Sequence, residues 1–296
     1  MDKLKLLNRV KRLYSDNGNI IKYLRELGDG SVNSAEDVMI SYDFQAGSYI
    51  KGYKEDPDFK QEYCNYLAEV LENLCEFNSL LEVGVGEATT LAPLLAALKN
   101  RPKMNYGFDI SWSRIKYAKR FLEELNISNV SLFTGDLFCT PLKNNSIDIV
   151  FTSHSIEPNG GREKEALKEL YRIAKKYLVL LEPAYEFSSD QARERMLKHG
   201  YVTQLYSVAK KLGYKIIEHR LFDTCVNALN PTGLIIIEKN ANDRVDDPLC
   251  CPLTKTDLCF KDNAYFSAES LLAYPVISDI PCLLPQNAIV ATKFLD

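Results

Sequence analysis

The residues whose types and spacing point to chemistry begin with LLEVGVGEATTL, residues 80–91. Glu82 lies at the end of an apolar run, Gly84-x-Gly86 follows, and a helix is expected from near Thr89. Glycines at such a turn let the chain reverse tightly and let a ligand approach the main chain. Asp109, 25 positions after Gly84, closes a second apolar run, MNYGFDI, where an acid accepts hydrogen bonds from ribose hydroxyls. Asp136 in TGDL closes a third run, placed to bond an adenine amino group. A fourth run, IDIVFTS, leads straight into the polar loop SHSIEPNGG. A Gly-x-Gly turn alone is often no more than a turn. Two acids and a polar loop at the ends of successive apolar runs make it a ligand site.

The elements that must position these groups alternate. From Ser79 onward, SLLEVGV, MNYGFDI, VSLFTGD, IDIVFTS and YLVLLEP read as buried strands. TTLAPLLAALKN, SRIKYAKRFLEELN and EKEALKELYRIAKK read as helices between them. After a helical stretch over Asp190 to Leu212, YKIIEHRLF and TGLIIIEK read as a terminal hairpin with one antiparallel strand. This is an α/β fold, a doubly wound sheet of seven mostly parallel strands. Residues 1–75 form a helical N-terminal extension, 76–240 the sheet domain, and 247–296 a small α+β module after the polar linker KNANDRVDDP. Ligands of such sheets bind at the carboxyl ends of the strands.

With 296 residues, 46% hydrophobic and 26% charged, the chain can bury a core without disulfide or metal staples. Its 36 basic and 40 acidic residues leave a net charge of -4, which removes the electrostatic reason to expect nucleic-acid binding. No run approaches the ~18–20 apolar residues of a membrane span, and the N-terminus lacks a signal peptide's apolar stretch. The eight cysteines then read as reduced, small core residues of a cytoplasmic protein.

From Ser79 to about Lys239 the motif order resembles class I S-adenosylmethionine-dependent methyltransferases. The resemblance implies S-adenosylmethionine as cofactor and S-adenosylhomocysteine as product. Glu82, Gly84 and Gly86 would line the methionine part, Asp109 would hold the ribose, and Ile110 would lie against the adenine. Asp136 and Leu137 would sit at the adenine edge, and Ser153 would begin the loop after the fourth strand. Glu87 departs from the pattern, since many members carry a third glycine there, and its side chain must point away from the ligand. A nicotinamide dehydrogenase is the rival on the same fold, but it more often has glycine or alanine where this chain has Thr89. Related methyltransferases fold a helical N-terminal segment over the cofactor. Tyr42, Gln45 and Tyr49 of SYDFQAGSYIKGY are lid candidates, Tyr53 less so; packing against the long helix that starts at Pro57 is the alternative.

Methyl transfer from a sulfonium is an in-line displacement that needs positioning and no metal. A hydroxyl acceptor also needs a base, and His154 is the candidate, its imidazole titrating near ~6.5 when unperturbed. The alternative is a histidine that only bonds its own loop; His199 and His219 read as structural. Glu157, Glu182 and Tyr185, near two Glu-Pro pairs at the same sheet edge, are candidates for contact with the acceptor. The loop lacks the Asn/Asp-Pro-Pro-Tyr run of many amine and amide methyltransferases.

The tail, with CPLTKTDL and AYPVISDIPCLLP, resembles a small zinc-ribbon-like module that serves as activator subunit of RNA and release-factor methyltransferases. Its ligand set is degenerate. Thr254 stands three positions after Cys251, Cys259 and Cys282 form no second knuckle, and the tail has no histidine. Metal ligands are therefore expected to be none. Three readings follow: an O-methyltransferase of a small hydroxylated acceptor such as a sugar or metabolite, a methyltransferase of RNA or a translation protein, or an inactive methyltransferase-fold scaffold. A homo-oligomer is left open.

Overall fold

Strands buried on both faces need continuous apolar runs rather than alternation, and all five residues of β1, Ser79–Val83, are buried. The computed structural model describes residues 3–28, 30, 32–224 and 227–296. Beside β1 lie β2 (Met104–Asp109), β3 (Val130–Thr134), β4 (Ile147–Ser153), β5 (Ala174–Pro183), β6 (Lys215–Leu221) and β7 (Thr232–Glu238). They form one sheet in the order β3-β2-β1-β4-β5-β7-β6. The first five strands pair in parallel, while β7 runs antiparallel to both its neighbours. The terminal hairpin is thus inserted with its second strand against β5 and its first at the edge. Strand order reverses between β1 and β4, which opens a crevice at their carboxyl ends.

Helices cover both faces. The α5 helix (Pro57–Leu74) starts with proline after an Asp56 cap and packs against α6 (Leu91–Ala97), and its Leu67 and Leu71 share a core with that helix and with α7 (Trp112–Glu124). The opposite face carries α8 (Glu163–Ile173) and, after α9 (Asp190–His199), α10 (Leu205–Lys211). One continuous helical stretch was expected over the last two. Gly200, in the left-handed region at φ 70°, ends α9 and breaks it. The α6 helix begins two residues later than expected, at Leu91.

The N-terminal segment folds as α1 (Leu7–Ser15), α2 (Ile20–Glu26), α3 (Ala35–Phe44) and α4 (Ser48–Glu55). The first three share a small core of Val10, Ile20, Leu24 and Ile40. The tail is a second sheet, β8 (Cys259–Lys261), β9 (Ala264–Ser267), β10 (Leu272–Ile277), β11 (Ile280–Pro281) and β12 (Ile289–Val290), all antiparallel. It holds no α-helix, only a 3-10 turn at Pro285–Asn287, which corrects the α+β expectation. Its Cys282 bridges Thr134 in parallel, and Cys251, Tyr274 and Leu283 enter the core of the main sheet. Among the described residues no helix is long and apolar enough to cross a membrane.

Candidate active site

The turn after β1 places Gly84 and Gly86 at φ 66° and 54°, where a side chain is strained. Neighbouring atoms would have to move as well. A Cβ on Gly84 would stand 2.3 Å from Ser155 Cβ, and one on Gly86 would stand 2.7 Å from Arg114 Nη2. Asp109 fixes this turn and the next: its carboxylate accepts the Gly86 N–H at 3.0 Å and the Ser111 N–H at 2.9 Å.

Together these turns floor a cavity of about 370 Å³, toward the lower end of the ~300–1,000 Å³ typical of small-molecule sites. Of the residues singled out in the sequence, Glu82, Gly84, Gly86, Asp109 and Ile110 line one side. Asp136 and Leu137 line a second, and Ser153, His154 and Glu157 a third. Tyr42 and Tyr49 close it from α3 and α4. Gln45 does not reach it; its amide donates to the Ser41 carbonyl and hydroxyl, both at 3.1 Å, at the end of α3. Glu182 is also outside the cavity. Its buried carboxylate accepts the N–H groups of Ser155, Ile156 and Glu157 at 3.0–3.1 Å, so it shapes the loop after β4 rather than facing an acceptor. Tyr185 lies outside too, beneath the Arg193 guanidinium.

Among the lining residues not read from the sequence as site residues are Lys60, Glu87, Arg114 and Asn230. Glu87, the departure from the glycine pattern, turns its fully buried carboxylate to the start of α4. It accepts the N–H groups of Gly47, Tyr49 and Ile50 at 3.0, 3.4 and 2.8 Å, as an anion at a helix N-terminus should. Arg114 lies 3.9 Å from it and under the rings of Tyr42 and Tyr49. Asp43 adds a second tie, accepting from the Ser111 hydroxyl and from the Ser113 N–H and hydroxyl at the start of α7.

Four buried polar atoms on the lining have no hydrogen-bond partner: Glu82 Oε2, Arg114 Nε, Ser155 Oγ and Asn230 Oδ1. Buried polar atoms left in this state are costly unless something else satisfies them. Burial pushes the Glu82 carboxyl up to about 8, with Lys60 opposing. His154 sits in the left-handed region at φ 54°, a strained position for a non-glycine residue. Its Nδ1 is 2.6 Å from Glu157 Oε2 and its Nε2 is 2.8 Å from the Thr232 hydroxyl. Burial works against a charged imidazole, but the bond to Glu157 and that residue's charge outweigh it and raise the His154 pKa. Glu157 is held below its usual value in return, since the bond and charge of His154 overcome its burial. Asn230 donates Nδ2–H to the same Glu157 oxygen at 3.1 Å, which turns its Oδ1 away from the carboxylate.

Residues 80–177 match the family model described as a methyltransferase domain. No curated protein matches the chain. A solved complex between the Haloferax volcanii Trm112 methyltransferase activator and a protein described as a methyltransferase is similar at 13% identity and TM-score 0.51, covering 67% of this chain and 96% of that one. Magnesium protoporphyrin IX methyltransferase from Synechocystis, with bound S-adenosylhomocysteine, is 17% identical at TM-score 0.48, covering 79% and 99%. A SAM-dependent methyltransferase from Aquifex aeolicus is 19% identical at TM-score 0.44, covering 58% and 88%. The match over residues 80–177 spans the glycine turn after β1, Asp109, Asp136 and His154, so the cavity's floor and walls lie in the part of the chain that is similar to that domain.

Proposed function

We propose that this S-adenosylmethionine-dependent methyltransferase methylates an oxygen of a small hydroxylated acceptor, such as a sugar or other metabolite. The observation that carries the reading is the His154–Glu157 pair in the wall of a cavity roofed by α3 and α4. A compact acceptor fits beneath such a roof, and an acid–base pair suits a hydroxyl. The reading takes residues 1–75 as lid, 76–240 as the catalytic unit and 247–296 as a docked module.

The unpartnered polar atoms and the glycine cradle fit the cofactor. Glu82 would bond its ammonium group and Asp109 its ribose, with Ile110 on the adenine face and Asp136 and Leu137 at the adenine edge. Gly84 and Gly86 would leave room for the methionine chain, and Ser153 would border it. Tyr42 and Tyr49 would cover it. The cofactor supplies an activated methyl on a sulfonium sulfur and leaves as S-adenosylhomocysteine.

Glu157 holds the imidazole through Nδ1–H, which leaves Nε2 as the basic nitrogen. In the resting protein Nε2 is engaged by Thr232. An acceptor hydroxyl bonded to Nε2 in place of Thr232 would give up its proton there, leaving its oxygen to take the methyl group that the cofactor would supply. Asn230 Oδ1 is a free acceptor for a second hydroxyl. Base catalysis of this kind contributes ~10²–10⁴-fold.

The test begins with calorimetric titration of S-adenosylhomocysteine into wild type and Asp109→Ala. Binding by the first that is lost in the second supports the cofactor reading. A screen with methyl-labelled S-adenosylmethionine then sets sugars and hydroxylated metabolites against RNA and translation proteins. Label on the small molecules supports the proposal. Label only on RNA or protein overturns it in favour of the second reading, which the tail's likeness to an activator module favours. No binding at all leaves a scaffold.

A further inference from the structure

The tail contributes no residue to the cavity lining, yet it grips the outer side of a segment whose inner side does. Between β3 and β4, Asp136, Leu137 and Phe138 face the cavity. The adjoining residues face the tail. The Cys139 thiol donates to the Pro252 carbonyl at 3.0 Å, and the Cys250 N–H donates to the Pro141 carbonyl at 3.0 Å. At the centre, the Lys255 ammonium donates to the Thr140 carbonyl at 2.8 Å and to Glu169 at 3.2 Å. Glu169 in turn accepts the Thr140 N–H and hydroxyl, both at 2.8 Å, and pairs with Arg172. One residue of the loop is therefore held at its N–H, carbonyl and side chain at once. Backbone pinned this way has little freedom left to lose when a ligand binds, and preorganisation of that kind raises affinity without adding a ligand contact.

We propose that Lys255 is a positioning residue for the cofactor: through Thr140 and Glu169 it fixes the loop that presents Asp136 and Leu137, so that the tail sets affinity for the adenine end from outside the cavity. Lys255 itself sits at φ 59°, in a turn closed by its N–H on the Cys251 carbonyl, so the tail's own fold holds the ammonium in place. The inference rests on the reading that the Asp136 side of the cavity receives the adenine.

The experiment uses the full chain and titrates S-adenosylhomocysteine and 5′-methylthioadenosine, which lacks the amino-acid end, into wild type, Lys255→Met, Lys255→Arg and Lys255→Gln. Lys255→Met is expected to raise both dissociation constants by the same factor, about tenfold, equivalent to ~1.4 kcal/mol. Lys255→Arg should restore most of the loss, because it can reach the same two oxygens. Phe260→Ser, on the exposed face of β8, should change neither constant. A Lys255→Met protein that melts lower but binds both ligands as wild type does would overturn the proposal, since its role would be stability alone. Should that variant not fold, Lys255→Gln decides by the same two constants. Wild type that binds neither ligand would defeat the reading of the cavity itself, which is a different failure.

Discussion

Single carboxylates in this site do opposite jobs according to what surrounds them. Glu82 is 2% exposed and has one oxygen without a partner, so it keeps its proton to about pH 8 in the folded chain, against an ordinary value of 4.5. A ligand's ammonium group placed beside it favours the carboxylate. Affinity for S-adenosylhomocysteine should therefore rise from pH 6 to pH 9 with release of a proton, visible as a buffer-dependent heat in calorimetry. Between the two values the unfolded chain is ionised while the native state is not, so stability falls as pH rises through that window. Glu82→Gln should remove that fall, melting higher than wild type at pH 8, while weakening the ligand by ~1.5–3 kcal/mol. Melting curves at pH 5 and pH 8 check the first half and titration the second. Glu157 shifts the other way and raises His154 with it. A base must be unprotonated, so turnover should climb with pH along a limb centred above the ordinary histidine value. Glu157→Gln should move that limb to lower pH and reduce its plateau. An unmoved limb would mean that His154 is not the titrating group.

At the scale of elements, the glycine turn is tied to α4, and α3 to the start of α7. Glu87 caps α4 from the turn, and Asp43 of α3 caps the start of α7. Hydrogen bonds to a buried charge are worth ~1.5–3 kcal/mol each. Glu87→Gln should accordingly loosen the roof and speed S-adenosylhomocysteine dissociation about tenfold or more in stopped-flow displacement, with a smaller change at equilibrium. Here the limits of the sequence are plain. Gly84, Gly86, Asp109 and Asp136 are legible as cavity-lining positions because strand ends and glycine turns impose local spacing. Glu182 and Gln45 were misjudged because nearness to a site does not give a side chain's direction: backbone N–H groups claim one and a helix carbonyl the other. Asn230 reaches Glu157 from 73 positions away, a distance no local pattern carries. Glu87 was seen as an anomaly, yet its partner, a helix start some 40 residues upstream, could not be named.

As a whole, the molecule shares one core between its main sheet and its tail, since Leu283 and Tyr274 pack with Phe133 and Leu142. The alternation of strands and helices and the tail's compositional break were legible; the docking of one on the other was not, because it depends on surfaces far apart in sequence. Leu283 is fully buried, so Leu283→Ala should cost ~2–5 kcal/mol. The loss should appear as a lower midpoint of one cooperative transition. Two separate transitions in calorimetry would show instead that the tail unfolds independently.

The parallel bridge from Cys282 to Thr134 has a consequence for self-association. An open sheet ends in two rows of unpaired backbone groups, each able to recruit another chain. The β6 border carries Lys215, Glu218 and Arg220, charges that discourage such growth. The β3 border, VSLFT, carries none, and the tail covers its Thr134 end. Chain ending before Asp247 should thus precipitate by edge-to-edge pairing at temperatures where its remaining sheet is still folded.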